Sequence, residues 1–193
     1  MEGSCSLTAT KMEKNNVTIE VEIPSGMQAK LEGKRLTVKG QKGEVSKSLN
    51  HPKILIKLDG NKLVMQTITS RREENNLLRT FKAHVNNMIK GANEGIEYKL
   101  KICSGHFPMN ISVANNELVI KNFLGEKVPR KLKLKNGVSV KLDGSVISVE
   151  GVDLELVSQT AADIEQVSRR AGFDKRVFQD GIYITSKDGK EIK

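Results

Sequence analysis

The sequence has no tryptophan, and aromatic residues make up only 4% of its 193 residues, against 37% hydrophobic residues in all. Its two cysteines, Cys5 and Cys103, lie far apart and do not suggest a disulfide framework. No apolar run approaches the length of a membrane-spanning helix, and the N-terminal stretch lacks the apolar segment of a secretory signal. We therefore expect aliphatic cores, no membrane partner and a protein of the cell interior.

The motifs of common enzymes are also missing. There is no Gly-x-x-x-x-Gly-Lys phosphate loop and no Gly-x-Ser-x-Gly nucleophile turn. Cys103 and His106 stand three residues apart, but two ligands do not close a structural zinc site, which takes four. A buried thiol and a hydrogen-bonded histidine are the preferred interpretation of this pair. The sequence therefore predicts no catalysis, no cofactor, no metal and no small-molecule substrate.

What the sequence does have is positive charge. The net charge is +9, from 32 basic and 23 acidic residues. This charge is spread over both halves of the chain instead of forming a tail, and such a surface favours a polyanionic partner, nucleic acid first. The alternative from charge alone is a soluble protein without such a partner.

A repeated tetrapeptide indicates the organisation of the chain. Lys57-Leu58-Asp59-Gly60 recurs as Lys141-Leu142-Asp143-Gly144, a spacing of 84 residues (141 − 57 = 84). Apolar and polar residues alternate on both sides of each copy, which is the period of a half-buried strand. Asp-Gly between two such runs predicts a tight hairpin turn. The same hairpin is therefore predicted twice.

Helical patterns complete each copy. Ser70-Arg71-Arg72-Glu73 has the form of a capping box, and Gly91 is placed to close the helix that follows. Asp153 can cap a second helix. The predicted fold class is α+β: two duplicated small domains, each a short, mostly antiparallel sheet with one helix packed on it and a closing strand. The predicted divisions are a flexible extension (1–16), a first repeat (17–97), a second repeat (98–187) and a flexible tail (188–193). The basic residues on the loops of the second repeat favour it as the main RNA-binding half.

Basic residues cluster on two predicted loops of the second repeat. One cluster follows Gly125-Glu126, and the other lies between the second helix and the last strand, with Phe173 and Phe178 interleaved. Guanidinium groups can hold phosphates and aromatic rings can stack on unpaired bases. The alternative is a solvated charged loop whose phenylalanines serve the core. The predicted RNA-binding residues are Lys127, Arg130, Lys131, Arg169, Arg170, Lys175, Arg176 and Lys187.

Longer motifs resemble one known family. They include residues 83–91 (AHVNNMIKG), 106–108 (HFP), 122–127 (NFLGEK), 159–162 (QTAA) and 176–184 (RVFQDGIYI). This sequence is similar to the large-subunit ribosomal protein family called L-six in bacteria and L-nine in eukaryotes, in its archaeal and eukaryotic branch. The resemblance runs from about Val17 to Lys187. Residues 1–16 have no counterpart in it, and Phe173 stands where the branch usually has another basic residue.

The resemblance implies a function as well as a duplicated fold. It implies a structural protein of the cytoplasmic ribosome that binds large-subunit rRNA near the sarcin–ricin loop, beside neighbouring ribosomal proteins and close to where translational GTPases dock. Lys127, Arg130, Lys175, Arg176 and Lys187 match the basic loops of the family. The rival hypothesis is a free-standing RNA chaperone or regulator with the same fold.

Overall fold

A computed structural model describes residues 17–24, 26–68, 71–174 and 176–192. They divide into two compact units, one of residues 17–38 and Ser46–Asn86, the other of Lys39–Val45 and residues 87–192. The predicted α+β class, with duplicated and mostly antiparallel sheets, is confirmed. The predicted extension at residues 1–16 and the capping residue Ser70 lie outside the described residues.

The first repeat contributes six strands and a long helix. The strands form two three-stranded sheets with the orders β1-β6-β5 and β2-β3-β4. The elements are β1 (Thr18–Glu22), β2 (Gln28–Glu32), β3 (Arg35–Lys39), β4 (Glu44–Ser48), β5 (Ile54–Asp59), β6 (Lys62–Thr67) and α1 (Arg72–Asn93).

The second repeat contributes a three-stranded sheet and a five-stranded sheet, with the orders β10-β9-β8 and β11-β12-β7-β13-β14. The elements are β7 (Ile96–Cys103), β8 (Asn110–Ala114), β9 (Glu117–Lys121), a single 3-10 turn (Phe123–Gly125), β10 (Arg130–Lys133), β11 (Val138–Asp143), β12 (Val146–Gly151), α2 (Leu154–Val167), β13 (Gly181–Lys187) and β14 (Lys190–Glu191).

Both predicted hairpins are present. In the first, Asp59 pairs with Lys62 across the turn, and in the second Asp143 pairs with Val146. The glycine after each aspartate has a positive φ, +58° at Gly60 and +60° at Gly144. A left-handed angle at this position matches the twist of the flanking strands, which explains why the Asp-Gly signal identifies the turns correctly.

The core of the second unit is the expected aliphatic packing of a helix on a sheet. Val157, Ala161 and Ile164 are the buried apolar residues of α2, and they are fully buried. They belong to one cluster with residues of the central strands, Leu100 on β7 and Ile182 on β13 among them. One aromatic ring, Phe123, is also fully buried there.

The structure differs from the predicted strand order at β7. This strand was expected to close the sheet of the first repeat, but it pairs with β12 on one side and β13 on the other. The second unit accordingly begins before residue 98 and includes the end of α1. Alternation along a strand shows which face is buried, whereas it does not say which strands lie beside it.

The tail predicted to be flexible (188–193) includes β14, whose Lys190 pairs with Lys187 of β13. One further prediction requires correction. Gly91 does not close α1, which continues to Asn93. A Cβ atom at residue 91 would overlap the carbonyl oxygen of Val152, so glycine serves close packing there. The positive φ that follows the helix belongs to Gly95, at +79°.

Candidate nucleic-acid interface

The second predicted basic cluster lies on a loop of residues 168–180, here called the basic loop, which connects α2 to β13. The helix before it starts at a capping residue, since the Asp153 carboxylate accepts the Glu155 amide at 2.9 Å. The loop begins at Ser168, whose Oγ accepts the amide of Ile182 at 2.9 Å. Ser168 is buried, so this bond ties the start of the basic loop to the strand after it.

The far end of the basic loop is held by Asp180, whose side chain is only 1% exposed. Its Oδ1 accepts the amides of Gly105 at 2.6 Å and His106 at 3.1 Å. Its Oδ2 lies 2.5 Å from His106 Nδ1. Burial disfavours the ionised carboxyl, yet the bonds from His106 and Gly105 outweigh burial and hold the pKa of Asp180 below its usual value. The predicted hydrogen-bonded histidine is thus confirmed, while Cys103 is only half-buried.

Aromatic rings connect this anchor to the arginines. His106 stacks on Phe178 with ring centroids 4.9 Å apart, and Phe173 meets Phe178 edge to face at the same distance. The Arg170 guanidinium lies 4.3 Å from the centroid of the Phe173 ring. Phe173 is 39% exposed, so it is not the core residue of the solvated-loop alternative. The contacts therefore order the exposed side chains of the basic loop.

Arg130 is the first residue of β10, directly after the loop of residues 122–129, here called the Gly125 corner, and its side chain reaches the basic loop. Its Nε and Nη2 donate to the two carboxylate oxygens of Glu126 at 2.9 and 2.7 Å. Its Nη1 donates to the carbonyl oxygens of Val167 at 2.6 Å and Arg169 at 3.2 Å. Val167 is the last residue of α2, so the guanidinium satisfies carbonyls that a helix end leaves without partners.

Glu126 is the acceptor around which the arginines gather. Besides Arg130, the guanidinium of Arg170 lies 3.9 Å from its Oε1. The hydrogen bonds from Arg130, together with the charges of Arg130 and Arg170, hold the pKa of Glu126 below its ordinary value of 4.5. The corner itself turns at Gly125, whose φ of +77° is strained for other residues. One carboxylate thus joins the Gly125 corner to the basic loop.

The structure brings some predicted site residues together and separates others. Arg130, Arg169 and Arg170 meet at the end of α2. Lys187 lies at the opposite end of β13 from Gly181, about 20 Å away at roughly 3.3 Å per residue, so it does not belong to this cluster. The remaining described residues of the set are exposed on the same two loops or on β10: Lys127, Lys131 and Arg176. Lys175 is outside the described residues.

The prediction missed the residues that shape this interface. Arg130 was expected to face phosphate, but its guanidinium donates four hydrogen bonds within the protein, and its side chain is 24% exposed. Glu126 and Asp180 were not singled out for this loop. The spacing of Glu126 and Arg130, four residues apart, was the available signal for their pairing, although such spacing is informative mainly within a helix.

Comparison with known proteins decides the family. The sequence profile described as "Ribosomal protein L6" matches residues 23–95 and 107–181, one segment in each repeat. The chain belongs to this family. The predicted family is therefore confirmed, and the chain is a ribosomal protein and not an enzyme.

Three similar members of the family come from archaea. Large ribosomal subunit protein uL6 of Methanococcus vannielii is 42% identical over 173 residues, which are 90% of this chain and 95% of the relative. The uL6 protein of Haloarcula marismortui is 41% identical over 172 residues, covering 89% and 97%. That of Methanothrix thermoacetophila is 39% identical over 171 residues, with the same coverage. The predicted archaeal and eukaryotic branch of the family fits these relatives.

No helix among the described residues is both long enough and apolar enough to cross a membrane. Within the same described ranges, no group of three or more histidine, cysteine, aspartate or glutamate side chains is arranged to hold a metal ion. The basic loop and the Gly125 corner remain the candidate site.

Proposed function

We propose that the chain is a constituent of the large ribosomal subunit and that it binds large-subunit rRNA through the basic loop and the Gly125 corner. The observation that carries this proposal is the joining of two basic segments, 37 residues apart in sequence, by the guanidinium of Arg130. Arginine and lysine side chains that a scaffold holds on one face can contact successive phosphates without first being ordered.

The residues of the proposed interface have different roles. Lys127, Lys131, Arg169, Arg170 and Arg176 supply charge to phosphates, and Lys175 belongs to the same segment by sequence. Arg130 positions the other residues, because four of its five N–H donors are already taken up by Glu126 and by two carbonyl groups. Lys187, at the other end of β13, would make a separate contact with RNA.

The proposed location is near the sarcin–ricin loop, beside neighbouring ribosomal proteins and the docking region of translational GTPases. The support for this location is the resemblance of the basic loops to those of the family. Ultraviolet crosslinking in purified large subunits, followed by sequencing of the attached RNA, tests it. We expect crosslinks to the sarcin–ricin hairpin or its adjoining helices, and crosslinks confined to other regions would contradict the location.

Charge reversal tests the interface itself. We expect replacement of Lys127, Lys131, Arg169 and Arg176 by glutamate to weaken binding to large-subunit rRNA severely, because attraction becomes repulsion. The slope of log affinity against log salt should also fall by roughly 0.7–0.9 for each phosphate that the protein no longer neutralises. The matched control reverses four exposed basic residues around the β2–β3 turn: Lys30, Lys34, Arg35 and Lys39.

Two outcomes would contradict the proposal. Equal decreases in affinity in the two sets of variants would place the contact face elsewhere, provided that circular dichroism shows both sets to be folded. If the protein does not sediment with large subunits in moderate salt, the result would favour the hypothesis of a free-standing chaperone or regulator.

A further inference from the structure

A cleft of about 290 Å³ lies between α2 and the basic loop, and we call it the α2 cleft. This volume is close to the lower end of the range for small-molecule sites, roughly 300–1,000 Å³. Ala162 and Gln166 of α2 line one part of it, and Phe173 and Phe178 of the basic loop line another. The space therefore suits one small, flat group better than a folded segment of chain.

The cleft offers flat groups for stacking. Arg170 and Phe173 both line it, with the guanidinium 4.3 Å from the ring centroid. The side chain of Arg170 is 39% exposed, and so is the residue Phe173. Phenylalanine rings and arginine planes are the side chains on which unpaired bases stack.

Polar groups also reach the cleft. Glu165, Gln166 and Tyr183 line it, which supplies a carboxylate, an amide and a hydroxyl group. The Glu165 carboxylate is oriented by the Ile184 amide, at 3.4 Å from its Oε2. Burial raises the pKa of Tyr183, so its hydroxyl stays protonated and can donate. Donors and acceptors of this kind can pair with the edge of a nucleobase.

The charge around the cleft points to the same class of ligand. Arg169 and Arg170 line it, and the exposed Arg176 lies on the same loop. A base inside the cleft would place its sugar and phosphate outside, where guanidinium groups can hold the phosphate. An apolar side chain from a protein partner would supply no negative charge to these arginines.

We propose that the α2 cleft binds one unpaired nucleobase of RNA, stacked against Arg170 and Phe173, with its phosphate held by the neighbouring arginines. This inference rests on the proposed function, because it names the feature of RNA that the same loop recognises. It distinguishes the second repeat from a surface that reads only the shape and charge of a duplex.

The test compares two RNA hairpins of the same sequence, one fully paired and one with a single bulged nucleotide. We expect the full-length protein to bind the bulged hairpin about fivefold to a hundredfold more tightly at the same salt, which is the usual gain from stacking one base. The variant Ala162→Phe fills the cleft without changing a charge. It should abolish the preference and leave the affinity for the paired hairpin unchanged.

The control variant is Gln159→Phe, which adds the same ring at an exposed position on α2 outside the cleft. It should keep the preference for the bulged hairpin. Phe173→Leu, which keeps an apolar side chain but removes the ring, should reduce the preference even if Ala162→Phe fails to fold.

The outcomes separate this inference from the proposed function. In one outcome the folded wild-type protein binds both hairpins equally, while charge reversal at Lys127, Lys131, Arg169 and Arg176 weakens that binding. This result would overturn the proposal of a base in the α2 cleft and would leave the proposed phosphate interface in place. A preference that survives in both Ala162→Phe and Phe173→Leu would also overturn it. Binding of neither hairpin would overturn both proposals.

Discussion

The C-terminal ends of α1 and α2 are held by different kinds of hydrogen bond, one from a main-chain amide and the other from an arginine side chain. Near the end of α1, the carbonyl oxygen of Ala92 accepts the main-chain amide of Lys42 at 3.0 Å, and Lys42 lies in the corner that precedes Gly43-Glu44. At the end of α2, the carbonyl oxygen of Val167 accepts the side chain of Arg130, which follows Gly125-Glu126. The two corners correspond at a spacing of 82 residues (126 − 44 = 82).

This difference supports the proposal that one copy of the duplicated fold carries the RNA contacts. A main-chain contact requires the helix and the corner to approach closely, and Gly40 permits that approach beside Ala92. Gly91 permits a separate close approach, between α1 and the carbonyl group of Val152. A long arginine side chain spans a larger gap. The second repeat has room for the basic loop after α2, whereas α1 is followed almost at once by β7.

The largest effect on stability is expected at Gly91, where α1 lies so close to the Val152 carbonyl that no side chain fits. Gly91→Ala should lower the free energy of unfolding by about 2–3 kcal/mol, because the new methyl group would overlap the Val152 carbonyl. Helix propensity alone would favour alanine by about 1 kcal/mol, so the sign of the change is informative. Chemical denaturation measures it. Asn87→Ala, at an exposed position of the same helix, is the control and should not destabilise.

The side-chain contact should be less costly to remove. Arg130→Lys keeps the charge but loses the forked geometry that serves Glu126 and two carbonyl groups at once. We expect a decrease of about 1–3 kcal/mol in the free energy of unfolding, together with weaker rRNA binding. If Arg130 were only a phosphate contact, lysine would preserve both quantities. Arg169→Lys is the control, because Arg169 contacts Arg130 through its carbonyl group and not through its side chain. Its free energy of unfolding should stay within about 0.5 kcal/mol of the wild-type value.

How far this comparison was predictable depends on the range of the interactions involved. The hairpins and the Asp153 cap follow from neighbouring residues, and the sequence predicts them correctly. The position of β7 in the second sheet, the four bonds of Arg130 and the separation of Lys187 from the other basic residues depend on residues that are far apart in the chain. A basic residue has the same local pattern whether it faces phosphate or the end of a helix. Burial and geometry are needed to distinguish these roles.

The carboxylate of Glu126 in the Gly125 corner should make the stability of the fold sensitive to acid. Its pKa is lowered in the folded state, so its stabilising contribution is complete above the ordinary value of 4.5 and disappears as the pH falls through the folded value. Wild type should exceed Glu126→Gln in unfolding free energy by about 1 kcal/mol at pH 7, since the pair is partly exposed. The gap should narrow as the pH falls below 4.5, as urea denaturation over a pH series can show. A gap that does not change with pH would assign the stabilisation to something other than ionised Glu126.

The smallest effect is expected from placing an arginine at the matching position after Gly43-Glu44. This change tests whether an arginine alone gives that corner the stabilising contact found after Gly125-Glu126. Ser48 corresponds to Arg130 at the spacing of 82 residues (130 − 48 = 82), and it lies four residues after Glu44, both exposed. Glu44 and Ser48 lie at the two ends of β4, about 13 Å apart at roughly 3.3 Å per residue, so Ser48→Arg can gain at most a weak surface pair with Glu44. The end of α1 is already satisfied by the Lys42 amide. We expect the free energy of unfolding to change by no more than about 0.5 kcal/mol, because exposed pairs contribute little. The affinity for large-subunit rRNA should also stay within the error of the wild-type value. A gain of more than about 1 kcal/mol in denaturation measurements would show that the Glu–Arg pair is stabilising without a helix end to bind, and would remove the distinction between the two corners.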